Sequence, residues 1–205
     1  MKACQLRRLY EQGERYFTWT DLKLTNLSEV NLAKAEFWGS NLAHGNFSQA
    51  SFRDSDLGKC DLTGATLWRT DLRGANLMKA QLSQAILIRA NLNNVKAQQA
   101  NFESSDLRLV DLRGADLSQA NLTNANLSYA NLQGANLSGA NLSQANLTGA
   151  NVSDSILQQA HLEDTILERV DFHPARLNKL QGNVTSNTKI KVLDFRNYTL
   201  SRNIV

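Results

Sequence analysis

Three histidines, two cysteines and a long series of aspartates are the residues whose chemistry could reach beyond packing. A metal centre needs His, Cys or carboxylate ligands that return at short, defined spacing. His44, His161 and His173 stand apart, with no second His or Cys at such a spacing. A phosphate loop needs glycines at a strand-to-helix turn, whereas Gly134 and Gly139 are followed by Ala inside a regular pattern, in outer positions with no evident constraint. Carboxylates could pair for general acid–base work. However, Asp21, Asp61, Asp71, Asp111, Asp116 and Asp171 all fall at one place in a five-residue pattern, a place they share with Asn. A structural duty accounts for them, so no catalytic, cofactor-binding or metal-binding residue is predicted and the chain is read as a non-enzyme.

The pattern that absorbs these residues is a large apolar side chain at every fifth position from Leu22 to Leu177. Of 32 consecutive slots, 25 are Leu and five are Phe (Phe37, Phe47, Phe52, Phe102, Phe172); Ala97 and Val152 complete the series. Two residues before each slot sits a small residue, Ala in 18 of the 32, and the residue just before it is usually Asn or Asp. On an α-helix, five-residue steps rotate each Leu by about 140°, which scatters the series around the circumference. On a flat strand an odd spacing sends successive leucines to opposite faces. The chain must turn once per pentad so that every fifth side chain meets a common axis, and such a repeat is a solenoid stacked on its own neighbours. Asn and Asp suit the tight turns this requires, and Pro174, the single proline, falls only at the end of the array.

The run Ala-Asn-Leu-Ser-Gln and its variants, over residues 20 to about 179, resembles the pentapeptide-repeat family. The resemblance implies an all-β solenoid: a right-handed quadrilateral β-helix with four pentads per coil and the Leu or Phe and the small residue pointing inward. Thirty-two pentads then make about eight coils, a rod roughly 38 Å long at ~4.8 Å per coil. Residues 17–179 form this body, 1–16 an N-terminal helical cap and 180–205 a C-terminal loop with a degenerate capping turn. A filled, narrow core leaves no interior pocket. The Ala97 slot is read as a thin spot in the core and not as a ligand cavity.

The cap reading rests on residues 3–12, an amphipathic helix with Leu6, Leu9 and Tyr10 on one face and Gly13 as its stop. The segment Leu-Arg-Arg-Leu-Tyr-Glu-Gln-Gly-Glu-Arg-Tyr-Phe is similar to helical caps of cyanobacterial pentapeptide-repeat proteins, among them the heterocyst-differentiation type. Covering the first coil hides backbone groups that would otherwise invite end-to-end pairing. The formal net charge of +3 is concentrated at the two ends, in Lys2, Arg7, Arg8 and Arg15 and in Lys179, Lys189, Lys191, Arg196 and Arg202, which leaves the repeat body weakly negative. Cys4 and Cys60 read as unpaired thiols of a reducing compartment. With no signal-like start and no apolar stretch of membrane-spanning length, the chain is expected in the cytoplasm, away from membranes, as a monomer or an end-to-end dimer.

Function must then lie on the outer surface, where departures from consensus are the places to look. Residues 115–150 are nearly pure consensus, whereas Trp38, Trp68, Arg69, Met78, Ile86, Ile88, Arg89 and Leu109 break it. With four pentads per coil, residues twenty apart stack. Trp68 then joins Ile88 and Arg108; Arg69 joins Arg89, Leu109 and Tyr129; and Thr66, Ile86 and Asp106 complete the face. Trp, Tyr and Arg dominate protein-binding hot spots. The predicted partner-binding residues are therefore Trp68, Arg69, Ile86, Ile88, Arg89, Arg108, Leu109 and Tyr129, on a scaffold that recognises another protein. A second column, Arg53, Arg73 and Arg113, is expected to be offset by Asp54, Asp71 and Asp111. The alternative implied by the resemblance is mimicry of duplex DNA toward a type II topoisomerase, which needs a strongly negative rod. Direct nucleic-acid binding is not expected, because the basic residues of the tail are too dispersed to form a patch.

Overall fold

The computed structural model describes residues 1–172. His173, Pro174 and the expected C-terminal loop and final turn over 180–205 lie outside the described residues.

From Tyr16 onward, one residue of each pentad forms a parallel bridge to the residue twenty positions later, from Tyr16↔Glu36 to Asn151↔Asp171. Four pentads therefore close one coil, and four faces run the length of the solenoid. Each face is a column of single bridged residues and not a set of extended strands. The five slots of a pentad can be followed in Asn121-Leu122-Thr123-Asn124-Ala125. Leu122 and Ala125 are buried, as are nearly all their counterparts, so the core is one continuous column of Leu, Phe and Ala. Its N-terminal part is aromatic, with the Phe17 and Phe37 rings stacked 5.4 Å apart and Phe52 edge-on to Phe37 and Phe47 at 5.8 and 5.6 Å. Ala97 is fully buried in its slot, and Val95, in the small-residue slot two positions earlier, is buried as well.

Backbone hydrogen bonding explains why each slot has its residue type. Buried or half-buried backbone donors need acceptors. In this pentad the Asn121 N–H donates back to the Ala100 carbonyl (2.9 Å), Leu122 forward to Asn141 (2.7 Å), Asn124 forward to Ser143 (3.0 Å), and Ala125 closes a turn onto Leu122 (3.0 Å). Only the Thr123 N–H is left out of the ladder, and the Asn121 Oδ1 accepts it at 3.1 Å. The bond recurs at every Asn or Asp of this slot from Asp21 to Asn151, 21 in all, at 2.9–3.3 Å. Asp21, Asp61, Asp71, Asp111 and Asp116 have the structural duty their spacing suggested.

The fourth slot is the turn apex. From Trp19 to Arg169 every apex residue has positive φ, between +53° and +68°. That is the left-handed region, which β-branched side chains tolerate least, and none of these positions is Val, Ile or Thr. The slot holding Gly134 and Gly139 is therefore constrained by the backbone, contrary to the expectation of an unconstrained outer position.

At the N-terminal end, α1 spans Ala3–Glu11 and its backbone ends on Gln12, just before Gly13. Leu6 is fully buried, and Leu9 and Tyr10 pack against the core. The Tyr10 hydroxyl donates to the Ala33 carbonyl at 2.8 Å, and the N-terminal ammonium to that of Asp21 at 2.6 Å. These contacts seat the helix on the first coils.

Candidate interaction face

The predicted face is assembled as its spacing required. Thr66, Ile86 and Asp106 are consecutive bridge partners. The Arg69 N–H donates to the Ile88 carbonyl and the Arg89 N–H to that of Arg108, both at 3.1 Å, while Leu109 reaches Ser128 at 3.0 Å. Trp68, Arg69, Ile86, Ile88, Arg89, Arg108, Leu109 and Tyr129 thus lie on one side of four successive coils. Trp68 and Ile88 are half-buried, whereas Ile86, Leu109 and Tyr129 are 39%, 45% and 59% exposed. Arg69, Leu109 and Tyr129 all rise from left-handed apices. Tyr129 lies over Gly149, where an added Cβ would come within 2.7 Å of the ring. The Arg69 guanidinium sits 4.7 Å from the Trp68 ring centroid, within cation–π range.

The arginines of the coils divide by slot. A third-slot Arg folds back on the bridge-slot Asp of its own pentad: Arg73 on Asp71 at 2.6 Å, Arg108 on Asp106 at 2.7 Å, Arg113 on Asp111 at 2.6 Å. Arg53, whose bridge slot holds Ser51, reaches Asp54 at 3.6 Å. The second Arg column is therefore offset by its aspartates. The paired guanidinium of Arg73 holds the Asp71 carboxyl below its ordinary range, and Arg113 does the same for Asp111. At the apex, Arg69 and Arg89 are stacked in consecutive coils, and neither makes an ion pair among the described residues.

A second surface escaped the sequence reading. Trp19, Leu24 and Tyr16 are 73%, 72% and 70% exposed, more than Ile86, Leu109 or Tyr129 of the predicted face. The Trp19 ring lies over Gly39, and Lys59 Nζ sits 5.2 Å from the Trp38 ring. Trp19 and Gly39 stand one coil apart in the apex slot, the spacing that Tyr129 and Gly149 share, and that pairing was the available signal.

Among the described residues no cluster of three His, Cys, Asp or Glu side chains could hold a metal ion, and no helix is long and apolar enough to cross a membrane. Cys60 is buried, its Sγ 2.9 Å from the Phe37 carbonyl oxygen, and burial pushes its thiol up to about 12. The geometry therefore defines a four-sided solenoid with a packed core and its distinctive residues on the outside.

The chain belongs to the pentapeptide-repeat family, whose model matches in eight copies that together span residues 16–179. Family members with matching solved structures are right-handed quadrilateral β-helices. One is HetL, a pentapeptide repeat protein involved in heterocyst differentiation regulation from the cyanobacterium Nostoc sp. strain PCC 7120. It is 28% identical over 88% of this chain and 96% of its own, with a TM-score of 0.51. Trypsin-treated QnrB1, a plasmid-mediated fluoroquinolone resistance protein, matches 82% of this chain and 90% of its own at 15% identity and a TM-score of 0.66, a likeness of fold alone. No curated protein matches the sequence.

Proposed function

We propose that this protein is a non-enzymatic scaffold that binds a partner protein in a regulatory setting, through the face carrying Trp68, Ile86, Ile88, Arg89, Leu109 and Tyr129. The observation that carries the reading is local. Apolar and cationic side chains cluster there in consecutive coils, while the coils beyond return to Asn, Ser and Gln. Half-buried Trp68 and Ile88 between exposed Ile86, Leu109 and Tyr129 match the anchor-and-rim composition of binding hot spots. Likeness to HetL along most of both chains supports a regulatory role. Two unpaired thiols suit a reducing cytoplasm, and α1 acts as the cap of the first coil. Mimicry of DNA is less well supported. A duplex mimic needs regular rows of negative charge, and here Asn dominates the bridge slot beyond Asp116 while Arg residues interrupt the faces.

The test compares wild type with Trp68→Glu/Ile88→Glu in pull-downs from lysate of the source organism, with circular dichroism confirming that both fold. A protein retained by wild type and lost by the variant is the expected result. Equal capture by both proteins would make this face ordinary surface.

A further inference from the structure

We infer that the partner presents an acidic segment to this face, with carboxylates seated between Trp68 and Ile88 and an apolar residue beside Leu109 and Tyr129. The inference rests on the proposed interaction face and names the chemistry of its occupant.

The argument begins with a missing acceptor. Wherever the bridge slot is Asn or Asp, its Oδ1 accepts the third-slot N–H, as in Asn46 with Ser48 and Asp106 with Arg108. On the predicted face two consecutive bridge slots depart from this, Thr66 and Ile86. The backbone N–H groups of Trp68 and Ile88 consequently have no acceptor among the described residues. Beside them stand Arg69 and Arg89, stacked one coil apart with no ion pair among the described residues. Two donors without acceptors and two guanidinium groups without ion pairs thus belong to two stacked pentads of one face, and like charges in stacked positions repel. A carboxylate satisfies all of these groups: it accepts where Oδ1 sits in other pentads and engages the Arg fork.

Other places share part of this arrangement. Lys59 and Lys79 are also stacked apex cations, but the pentad of Lys59 contains Asp56, whose Oδ1 already accepts the Gly58 N–H. Tyr16 and Glu36 also leave two bridge slots without Asn or Asp, but Glu36 brings a negative charge of its own. The pentad of Lys96 leaves the Gln98 N–H uncapped beside an unpaired cation and holds no carboxylate, but it stands alone, because its coil neighbours Asn76 and Asp116 cap their own pentads. Among the described residues, only Thr66 and Ile86 are coil-adjacent bridge slots that combine uncapped donors with unpaired cations and no carboxylate in their own pentads. From Arg69 to Tyr129 is three coil steps, about 14 Å at ~4.8 Å each, which roughly four residues of extended chain span. The occupant therefore carries its acidic residues within about four positions of a large apolar one.

The test selects peptides from a random phage-displayed library on the full-length protein and measures the affinity of the winners for three variants. The expected winners combine Asp or Glu with a nearby large apolar residue. They bind Arg69→Gln/Arg89→Gln about tenfold or more weakly, with the loss growing at low salt. They also lose affinity for Thr66→Asn/Ile86→Asn, which restores the missing acceptors and melts no lower than wild type; weaker binding at undiminished stability is not what a purely structural role would give. Winners without acidic residues, or winners indifferent to the Arg pair but lost on Trp68→Glu/Ile88→Glu, overturn the acidic class and leave the face standing. A homopolymeric oligonucleotide that binds wild type and fails on the Arg variant would place a nucleic acid there and overturn it as well. Winners insensitive to all three variants, or no winners, would sink the face and this inference together.

Discussion

Gly134 isolates what the turn apex demands of its residue. Its φ is +68°, and an added Cβ would meet nothing within 4 Å, so substitution there tests the backbone without steric interference. Placing an L-residue in the left-handed region costs about 1–2 kcal/mol, and replacing Gly with Ala returns about 0.4–1 kcal/mol by restricting the unfolded chain. Gly134→Ala should therefore lose somewhat under about 1 kcal/mol, Gly134→Asn close to nothing, and Gly134→Val about 2 kcal/mol through its branched Cβ. For a chain of this size each kcal/mol moves the melting temperature by about 2–4 °C. The ordering Gly and Asn above Ala above Val is read from thermal melts followed by circular dichroism. Gly149 adds the steric half, since its Cβ would lie 2.7 Å from the Tyr129 ring. Gly149→Ala should cost more than Gly134→Ala, and Tyr129→Ser should remove the excess in a double-mutant cycle. A Gly134→Val protein as stable as wild type would refute the apex account.

Two further predictions concern the bridge slot. Asn146 Oδ1 accepts the Thr148 N–H at 2.9 Å, so Asn146→Ala should destabilise by about 1–3 kcal/mol while Asn146→Asp stays near wild type in the same melts; an Asp variant as weak as the Ala variant would count against the role of this oxygen. Asp71 and Asp111 have carboxyls held below their ordinary value of 3.8 by the guanidinium groups of Arg73 and Arg113. Depressed folded-state values mean that this stabilisation is complete above the ordinary carboxylate range and fades as pH falls through the folded values. Asp71→Asn/Asp111→Asn keeps an oxygen for the backbone N–H but loses the ion pairs. Its melting temperature should be lower at pH 7 and fall less steeply below about pH 4 than that of wild type, and an unchanged acid limb would remove these pairs as its source.

A solenoid was legible in the sequence because a five-residue period has few solutions, and the four pentads per coil implied by the family resemblance then fixed every column. On that count Trp68 falls with Ile88, and Arg69 with Arg89 and Leu109. The uncapped N–H groups of Trp68 and Ile88 were not legible, because they follow from which backbone donors the ladder leaves out, and a periodicity does not state that. The apex rule was hidden for a related reason. Its signature is a forbidden class, no Val, Ile or Thr, and the remaining apex residues vary from Gly to Trp. Trp19, Tyr16 and Leu24 lie ahead of the stretch where departures from consensus are dense, and although the Trp19–Gly39 apex pairing can be read from the spacing, their high exposure follows only from the structure.

Whether the predicted face is where a partner sits is tested most directly by site-specific photo-crosslinking. A benzophenone amino acid replaces Leu109 in one protein and, in another, Gln144, an exposed apex residue on a different face. Each is irradiated in lysate of the source organism. The account predicts a discrete adduct from Leu109, absent from Gln144 and lost when Trp68→Glu/Ile88→Glu is added. Adducts from Gln144 alone, or equal adducts from both positions, would contradict it.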